Sequence, residues 1–255
     1  MNNGLAEVSV GRRPGDPSIP PHRGGSLGFI HIPKHSRLLN DQSDESSSLP
    51  RRAVFLDRDG VLVVNVHYLT SANELVLLPD VSGAIRQLQD LFLIIIVTNQ
   101  SGVARGFLTE VDLSTIHERL AHLLAQDKAA VDAIYYCPHL AEGTVPGYHE
   151  DCSCRKPKPG MLLRASRDFD IDLSSSFLIG DMPTDIQAAE AAGVQPVLLT
   201  EAGDVAGETP IIARDLAEAA ELILIASAGI TRAPTSKSHV SMSTDSAVQR
   251  GKKCQ

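Results

Sequence analysis

Five polar residues in this chain stand where chemistry could be done. They are Asp57 and Asp59 in "VFLDRDGVLV", Thr98 in "LIIIVTNQ", Lys156 in "CSCRKPKPG" and Asp181 in "SFLIGDMPTD". Two carboxylates one residue apart raise each other's pKa unless positive charge lies between them. Three carboxylates gathered at one edge suit a hard divalent cation, and Mg²⁺ takes few protein oxygens while keeping waters for a phosphate-bearing substrate. Two carboxyls also permit a division of labour. One attacks phosphorus to form an aspartyl-phosphate; the other, protonated, donates to the leaving oxygen and later takes a proton from water. Gly60 lets the chain turn sharply enough to aim both at one centre. Thr98 adds a hydroxyl donor, and Arg155, Lys156 and Lys158 add the positive charge on which phosphoryl transfer relies. A single Asp at a strand end often does no more than cap the next turn; it is the joint occurrence that points to a site.

A second cluster is built from softer ligands. Cys137-x-His139 and Cys152-x-Cys154 form two tight pairs. Tetrahedral Zn²⁺ takes three cysteines and a histidine readily, although these gaps are shorter than the usual ones. Inert reduced thiols are the plainer alternative. With every ligand position filled, a zinc here would be structural. It would pin the loop 139–152 and place Arg155 and Lys156 behind it. Cys254, the penultimate residue, has no expected role.

Elements must bring these groups together. Apolar runs at 53–57, 93–99, 132–137, 176–181 and 195–199 read as buried strands. Helical spacing fills 81–91, 109–126, 159–169, 183–193 and 215–227, with Thr109 and Asp112 forming a start signal for the second. Such alternation implies a parallel sheet covered on both faces, a Rossmann-like three-layer α/β/α fold. In these sheets ligands bind beyond the carboxyl ends of the strands, which is where Asp57, Thr98, Cys137 and Asp181 fall. Residues 1–50 and 227–255 are polar and aperiodic and read as disordered tails around a domain at 51–226. Within the first, "LGFIHIP" (27–33) is a short apolar stretch that could dock on the domain.

The bulk properties narrow the function. The sequence holds 255 residues, 43% of them hydrophobic and 21% charged, which is ample for one core. A net charge of −8 argues against a nucleic-acid partner. No run is long enough to span a membrane and no signal-peptide core is found near the start, so a cytoplasmic protein is expected. The sequence does not fix an oligomeric state; a monomer is compatible with it.

"FLDRDGVL", "VTNQ", the lysine after "CR" and "IGDMPTD" together resemble the four motifs of the haloacid dehalogenase (HAD) superfamily of phosphatases. "TNQSGVARG", "YYCPH" and "CSCRKPKPGM" are similar to the D-glycero-D-manno-heptose 1,7-bisphosphate 7-phosphatases, over residues 53–200. The resemblance implies a Mg²⁺-dependent phosphatase in which Asp57 is the nucleophile and Asp59 the general acid/base. Asp57, Asp59 through its main-chain carbonyl, and Asp181 would hold the Mg²⁺. Thr98 and Lys156 would stabilise the phosphoryl group, and Asp185 would support the fourth motif. Asn65 to Tyr68, Asn99, Gln100, Ser101 and Arg155 would contact a small sugar-phosphate substrate. The resemblance also implies a zinc loop and no large cap domain, and 58–80 is indeed too short to hold one. Val61 and Met182 depart from the commoner residues at their positions. A histidinol-phosphate phosphatase, another sugar-phosphate phosphatase, and a catalytically silent zinc-stabilised binding module are the competing readings.

Overall fold

The computed structural model describes residues 28–31, 51–200 and 210–228. Seven strands make one sheet: β1 (Gly28–His31), β2 (Ala53–Leu56), β3 (Leu93–Asn99), β4 (Ala133–Cys137), β5 (Phe177–Gly180), β6 (Gln195–Leu199) and β7 (Ile211–Ala213). Their spatial order is β1-β4-β3-β2-β5-β6-β7. All neighbours pair in parallel except β1, which runs antiparallel to β4. The helices are α1 (Val81–Leu88), α2 (Glu110–Gln126), α3 (Gly160–Phe169), α4 (Pro183–Ala192) and α5 (Leu216–Ser227).

The expected α/β/α sandwich is therefore present, and the pleat explains how it is filled. Val54 and Leu56 point to the face covered by α1, α2 and α5. Ala53 and Phe55 point to the face covered by α3 and α4. Because both faces are covered, β2 needs no polar residue until it leaves the sheet at Asp57. Phe55, Leu56, Ile94, Ile95 and Ile96 are fully buried, each contributing about 1.5–3 kcal/mol relative to exposure. The platform under the strand ends is thus rigid.

Helix α2 starts as its sequence signal predicts. Thr109 Oγ1 accepts from the Asp112 N–H at 3.2 Å and Asp112 Oδ2 accepts from the Thr109 N–H at 2.8 Å. Helix α1 stops three residues short of the expected span, at Gln89, whose N–H still donates to the Ile85 carbonyl while its side chain grips the next loop. Its amide donates to the Lys128 carbonyl at 3.1 Å and accepts from the Ala130 N–H at 2.9 Å.

Strands β1 and β7 were not expected as strands. β1 lies inside the segment read as a tail, at the stretch singled out as able to dock. Apart from it and the end of α5, both expected tails lie outside the described residues. Between β2 and α1 the chain makes a short flap rather than a domain: the Val64 N–H donates to the Val76 carbonyl and the Leu78 N–H to the Leu62 carbonyl, each at 3.0 Å. Among the described residues no helix is long and apolar enough to cross a membrane.

Candidate active site

Asp57 is the first residue past β2, and Lys156 reaches it from the loop before α3. The Lys156 ammonium is buried, donates to the Val97 carbonyl at 2.8 Å and forms ion pairs with Asp57 Oδ1 at 2.9 Å and Asp185 Oδ1 at 2.5 Å. Burial opposes that charge, but Asp57 and Asp185 on either side outweigh it and hold the Lys156 pKa above its ordinary value. The Arg58 N–H also donates to Asp57 Oδ1, at 2.8 Å. Both contacts fall on Oδ1 and leave Oδ2 clear of them.

Asp181 directly follows β5, and Asp185 lies in the first turn of α4. Asp185 is fully buried and has two tasks, pairing with Lys156 through Oδ1 and accepting from the Met182 N–H through Oδ2 at 3.1 Å. Gly60 sits at φ +84°, and a Cβ there would collide with the Asp181 carboxylate. Only glycine lets the loop after β2 lie this close. Asp57, Asp181 and Asp185 each present an oxygen within 4.8 Å of the others.

The residues fit a hard divalent cation. Asp181 Oδ1 is buried without a hydrogen-bond partner, a costly state that a cation would relieve. The edges and diagonals of a Mg²⁺ octahedron are about 3 and 4 Å, close to the spacing here. Four carboxylates, Asp57, Asp59, Asp181 and Asp185, face two buried cations, Arg58 and Lys156. One divalent ion makes up the difference. Asp59, expected to contribute through its main-chain carbonyl, turns its side chain to Arg58, and the Asp185 carboxylate lies beside those of Asp57 and Asp181.

Burial first, and then Asp57 and Asp185, push the Asp181 carboxyl up to about 6. That lies above the ordinary 3.8, so without metal the folded state gains from the protonated form. This contribution to stability falls as pH rises from 3.8 to about 6. A cation must also compete with the proton at the low end. Added Mg²⁺ is therefore expected to raise the melting temperature clearly near pH 7.5 and little near pH 5. Equal shifts in thermal melts at the two pH values would exclude Asp181 as a ligand.

Asp59 lies between Arg58 and Gln100. Arg58 donates to both of its oxygens, at 2.8 and 2.9 Å from Nη2, and Gln100 Nε2 donates to Oδ2 at 2.9 Å. The same Gln100 nitrogen donates to Thr98 Oγ1 at 2.9 Å. Gln100 is buried, and its amide joins Asp59 to Thr98. Asn99 is spent similarly: its side chain donates to the Lys156 carbonyl and accepts from the Lys156 N–H, both at 3.0 Å. Both side chains, expected as substrate contacts, are hydrogen-bonded within the protein, to Lys156 and to Asp59 and Thr98.

The remaining expected contacts lie on loops. Asn65, exposed on the flap, accepts from the His67 N–H at 3.1 Å. Tyr68 packs edge-on against Phe107, with ring centres 4.7 Å apart. It also lies over Gly102, where an added side chain would collide with Leu108. The flap is thereby seated on the loop that carries Ser101, which is half-buried. Arg155 Nη1 donates to the His139 carbonyl at 3.3 Å. Met182 is 51% exposed at the start of α4.

The second cluster closes as the spacing implied. Cys137, His139, Cys152 and Cys154 are all buried, and none of the cysteines is in a disulfide. Sulfur separations are 3.4 Å for Cys137–Cys152 and 3.1 Å for Cys152–Cys154, with His139 Nδ1 at 3.4 Å from Cys154. A tetrahedral zinc with ~2.3 Å bonds to sulfur would have edges of about 3.7 Å, so the four donors can hold a metal of that size. Two residues that sequence reasoning missed support them. Glu150 lies 3.5 Å from His139 Nε2, where a carboxylate orients a metal-binding imidazole. Glu110 accepts from the Tyr136 and Tyr148 hydroxyls at 2.9 and 2.8 Å, tying the loop to α2.

Comparison with known proteins decides the family. The model of HAD-hydrolase-like proteins matches residues 153–219. The D-glycero-beta-D-manno-heptose-1,7-bisphosphate 7-phosphatase of Rhodopseudomonas palustris is 43% identical over 151 residues, covering 58% of this chain and 84% of that protein. The chain belongs to the HAD-like phosphatases. The enzyme of the same name in Escherichia coli K12 is 41% identical over 152 residues, 59% of this chain and 80% of its own. Among solved structures, the D,D-heptose 1,7-bisphosphate phosphatase from B. bronchiseptica, complexed with magnesium and phosphate, superposes with a TM-score of 0.61 at 36% identity. That match covers 68% of this chain and 98% of the other. In this HAD-like phosphatase Asp57, Thr98 and Asp181 thus stand at the carboxyl ends of β2, β3 and β5, with Lys156 brought to Asp57 from the loop before α3.

Proposed function

We propose that this HAD-like phosphatase removes the C7 phosphate of D-glycero-β-D-manno-heptose 1,7-bisphosphate through an aspartyl-phosphate on Asp57. The observation that carries the chemistry is the array of Asp57, Lys156 and Asp185 beside the unpartnered oxygen of Asp181. Asp57 Oδ2 attacks phosphorus, and the bond from phosphorus to the sugar oxygen breaks. Asp59 gives its proton to that oxygen. Water then attacks the same phosphorus, Asp59 takes the proton back, and Asp57 leaves as a carboxylate with inorganic phosphate. Lys156 stays against Oδ1 throughout and steadies the charge of the attacking group. Thr98 Oγ1 already accepts from Gln100, so its own proton is free for a phosphoryl oxygen. A Mg²⁺ held by Asp57 and Asp181, with Asp185 beside them, would supply charge stabilisation to the transferring phosphoryl group. In the second cluster the bound ion would be Zn²⁺, with a structural role.

The sugar and its anomer rest on the likeness to the relatives named above, which argues for the heptose over histidinol phosphate. The test is phosphate release with Mg²⁺ from both heptose 1,7-bisphosphate anomers, histidinol phosphate and simple hexose phosphates. The expected result is a kcat/KM for the β anomer at least about tenfold above every other substrate, ~1.4 kcal/mol of transition-state discrimination. A preference for histidinol phosphate would move the assignment to that substrate, and no release from any of them would favour a binding module.

A further inference from the structure

Arg58 stands between the two reactive aspartates, and its side chain is 1% exposed. Burying a guanidinium is unfavourable unless its donors find acceptors, and here each of its three nitrogens has one. Nη2 bonds both oxygens of Asp59 and, at 3.0 Å, Gln100 Oε1; Nε reaches Asp59 Oδ1 at 3.1 Å. Nη1 faces His117 Nε2 at 3.3 Å. His117 lies on the core side of α2 and is itself 1% exposed. Burial, and then the neighbouring Arg58 charge, hold its pKa well below the ordinary range. The imidazole is neutral, so Nε2 accepts from Arg58 and the proton sits on Nδ1, which has no partner. A guanidinium wanted only for packing could be replaced by an apolar side chain. This one is braced from behind by a histidine that cannot repel it, and its planar fork is aimed at a single carboxylate.

We propose that Arg58, backed by His117 and joined to Gln100, is the positioning residue that fixes the Asp59 carboxylate for proton transfer in both halves of the reaction. Arg58 touches neither substrate nor phosphorus; it acts through Asp59. Gln100 extends the hold to Thr98, so one network sets the general acid/base and the hydroxyl donor together. The inference rests on reading Asp59 as the group that moves the proton.

A substrate whose leaving group needs no acid separates this role from a general structural one. p-Nitrophenolate departs unaided, whereas a sugar alkoxide does not. The Arg58→Lys enzyme keeps the charge but loses the fork. It is expected to lose about 10- to 100-fold in kcat on any alkyl phosphate that the unaltered enzyme accepts, part of the 10²- to 10⁴-fold that general acid–base catalysis supplies. With p-nitrophenyl phosphate it is expected to release the first equivalent of nitrophenol at close to the original rate, followed by slow turnover as the phosphoenzyme waits for a base. Because Arg58 is buried, His117→Leu serves as a second variant, since it removes the brace on Nη1 and leaves the Gln100–Thr98 contact in place, with the same pattern and a loss of about 5- to 10-fold. The proposal is overturned if alkyl turnover and the aryl burst fall together, or if both variants turn over alkyl phosphates at the original rate. The choice of alkyl phosphate is free, so failure of the heptose assignment leaves the comparison intact. A crystal structure of Arg58→Lys decides independently of turnover. Displacement of the Asp59 carboxylate from Gln100 Nε2 supports the proposal, and an unmoved carboxylate overturns it.

Discussion

Asp57→Asn is expected to lower kcat on the order of 10⁴-fold or more while leaving the protein folded. The amide has nearly the shape of the carboxylate, and its oxygen can still accept from Lys156 and from the Arg58 N–H where Asp57 Oδ1 does now. What it lacks is the charge and nucleophilicity of Oδ2. The surrounding carboxylates make the substitution benign for the metal-free fold, since it removes one negative charge from a cluster that carries an excess. The check is steady-state phosphate release together with acid-quenched detection of phosphoenzyme and a thermal melt. More than about one part in a hundred of the original activity, or a trapped acyl phosphate in the variant, would show that the covalent step does not pass through this residue.

The second large effect concerns the metal that the cysteines would hold. Purified protein is expected to contain one zinc per chain, and Cys154→Ala to lose it. The ring from Cys137 to Cys152 spans 15 residues, and a cross-link closing a loop of that size contributes about 3 kcal/mol. For a domain of this size that corresponds to a fall of roughly 6–12 °C in melting temperature. Activity should fall as well. Lys156 follows Cys154 by two positions, and a misplacement of about 1 Å at a reacting centre can cost ~10²-fold. Metal content, melts and kcat, measured with Mg²⁺ restored, check the prediction. Protein that binds no zinc, or that keeps both melting temperature and kcat when the cysteine is removed, would reduce the cluster to buried thiols.

The chemistry was legible where residue type alone declares it. Aspartates that end apolar runs marked Asp57 and Asp181, and paired cysteine and histidine spacing marked the second cluster. What stayed hidden are side chains whose role depends on a partner distant in sequence. His117 follows Leu113 by four residues and shares the apolar stripe of α2 with Ile116 and Leu120, a polar residue on a core face; nothing local says that Arg58 lies opposite. Asn99 and Gln100 look like loop donors for a ligand until Lys156 and Asp59 are seen to occupy them. Asp185 could be placed with the fourth motif, but its approach to Asp57 needs the helix start to lie against the end of β2. Strand β7 spans three residues, too short for periodicity to register.

Strand β1 bears on how the protein behaves as a polymer as well as a catalyst. It covers the outer margin of β4 through four paired positions, Gly28 to His31 against Tyr136 to Ala133. At Gly28 the Tyr136 ring occupies the space that a side chain would need, and on the other face the Phe29 ring lies 4.7 Å from that of Tyr135. Without the segment, β4 would offer a row of free amide and carbonyl groups flanked by aromatic and aliphatic side chains, a ready template for joining another chain edge to edge. A chain shortened to start at Arg51 would keep every reacting group and lose that guard, and aggregation would then set the limit on its use.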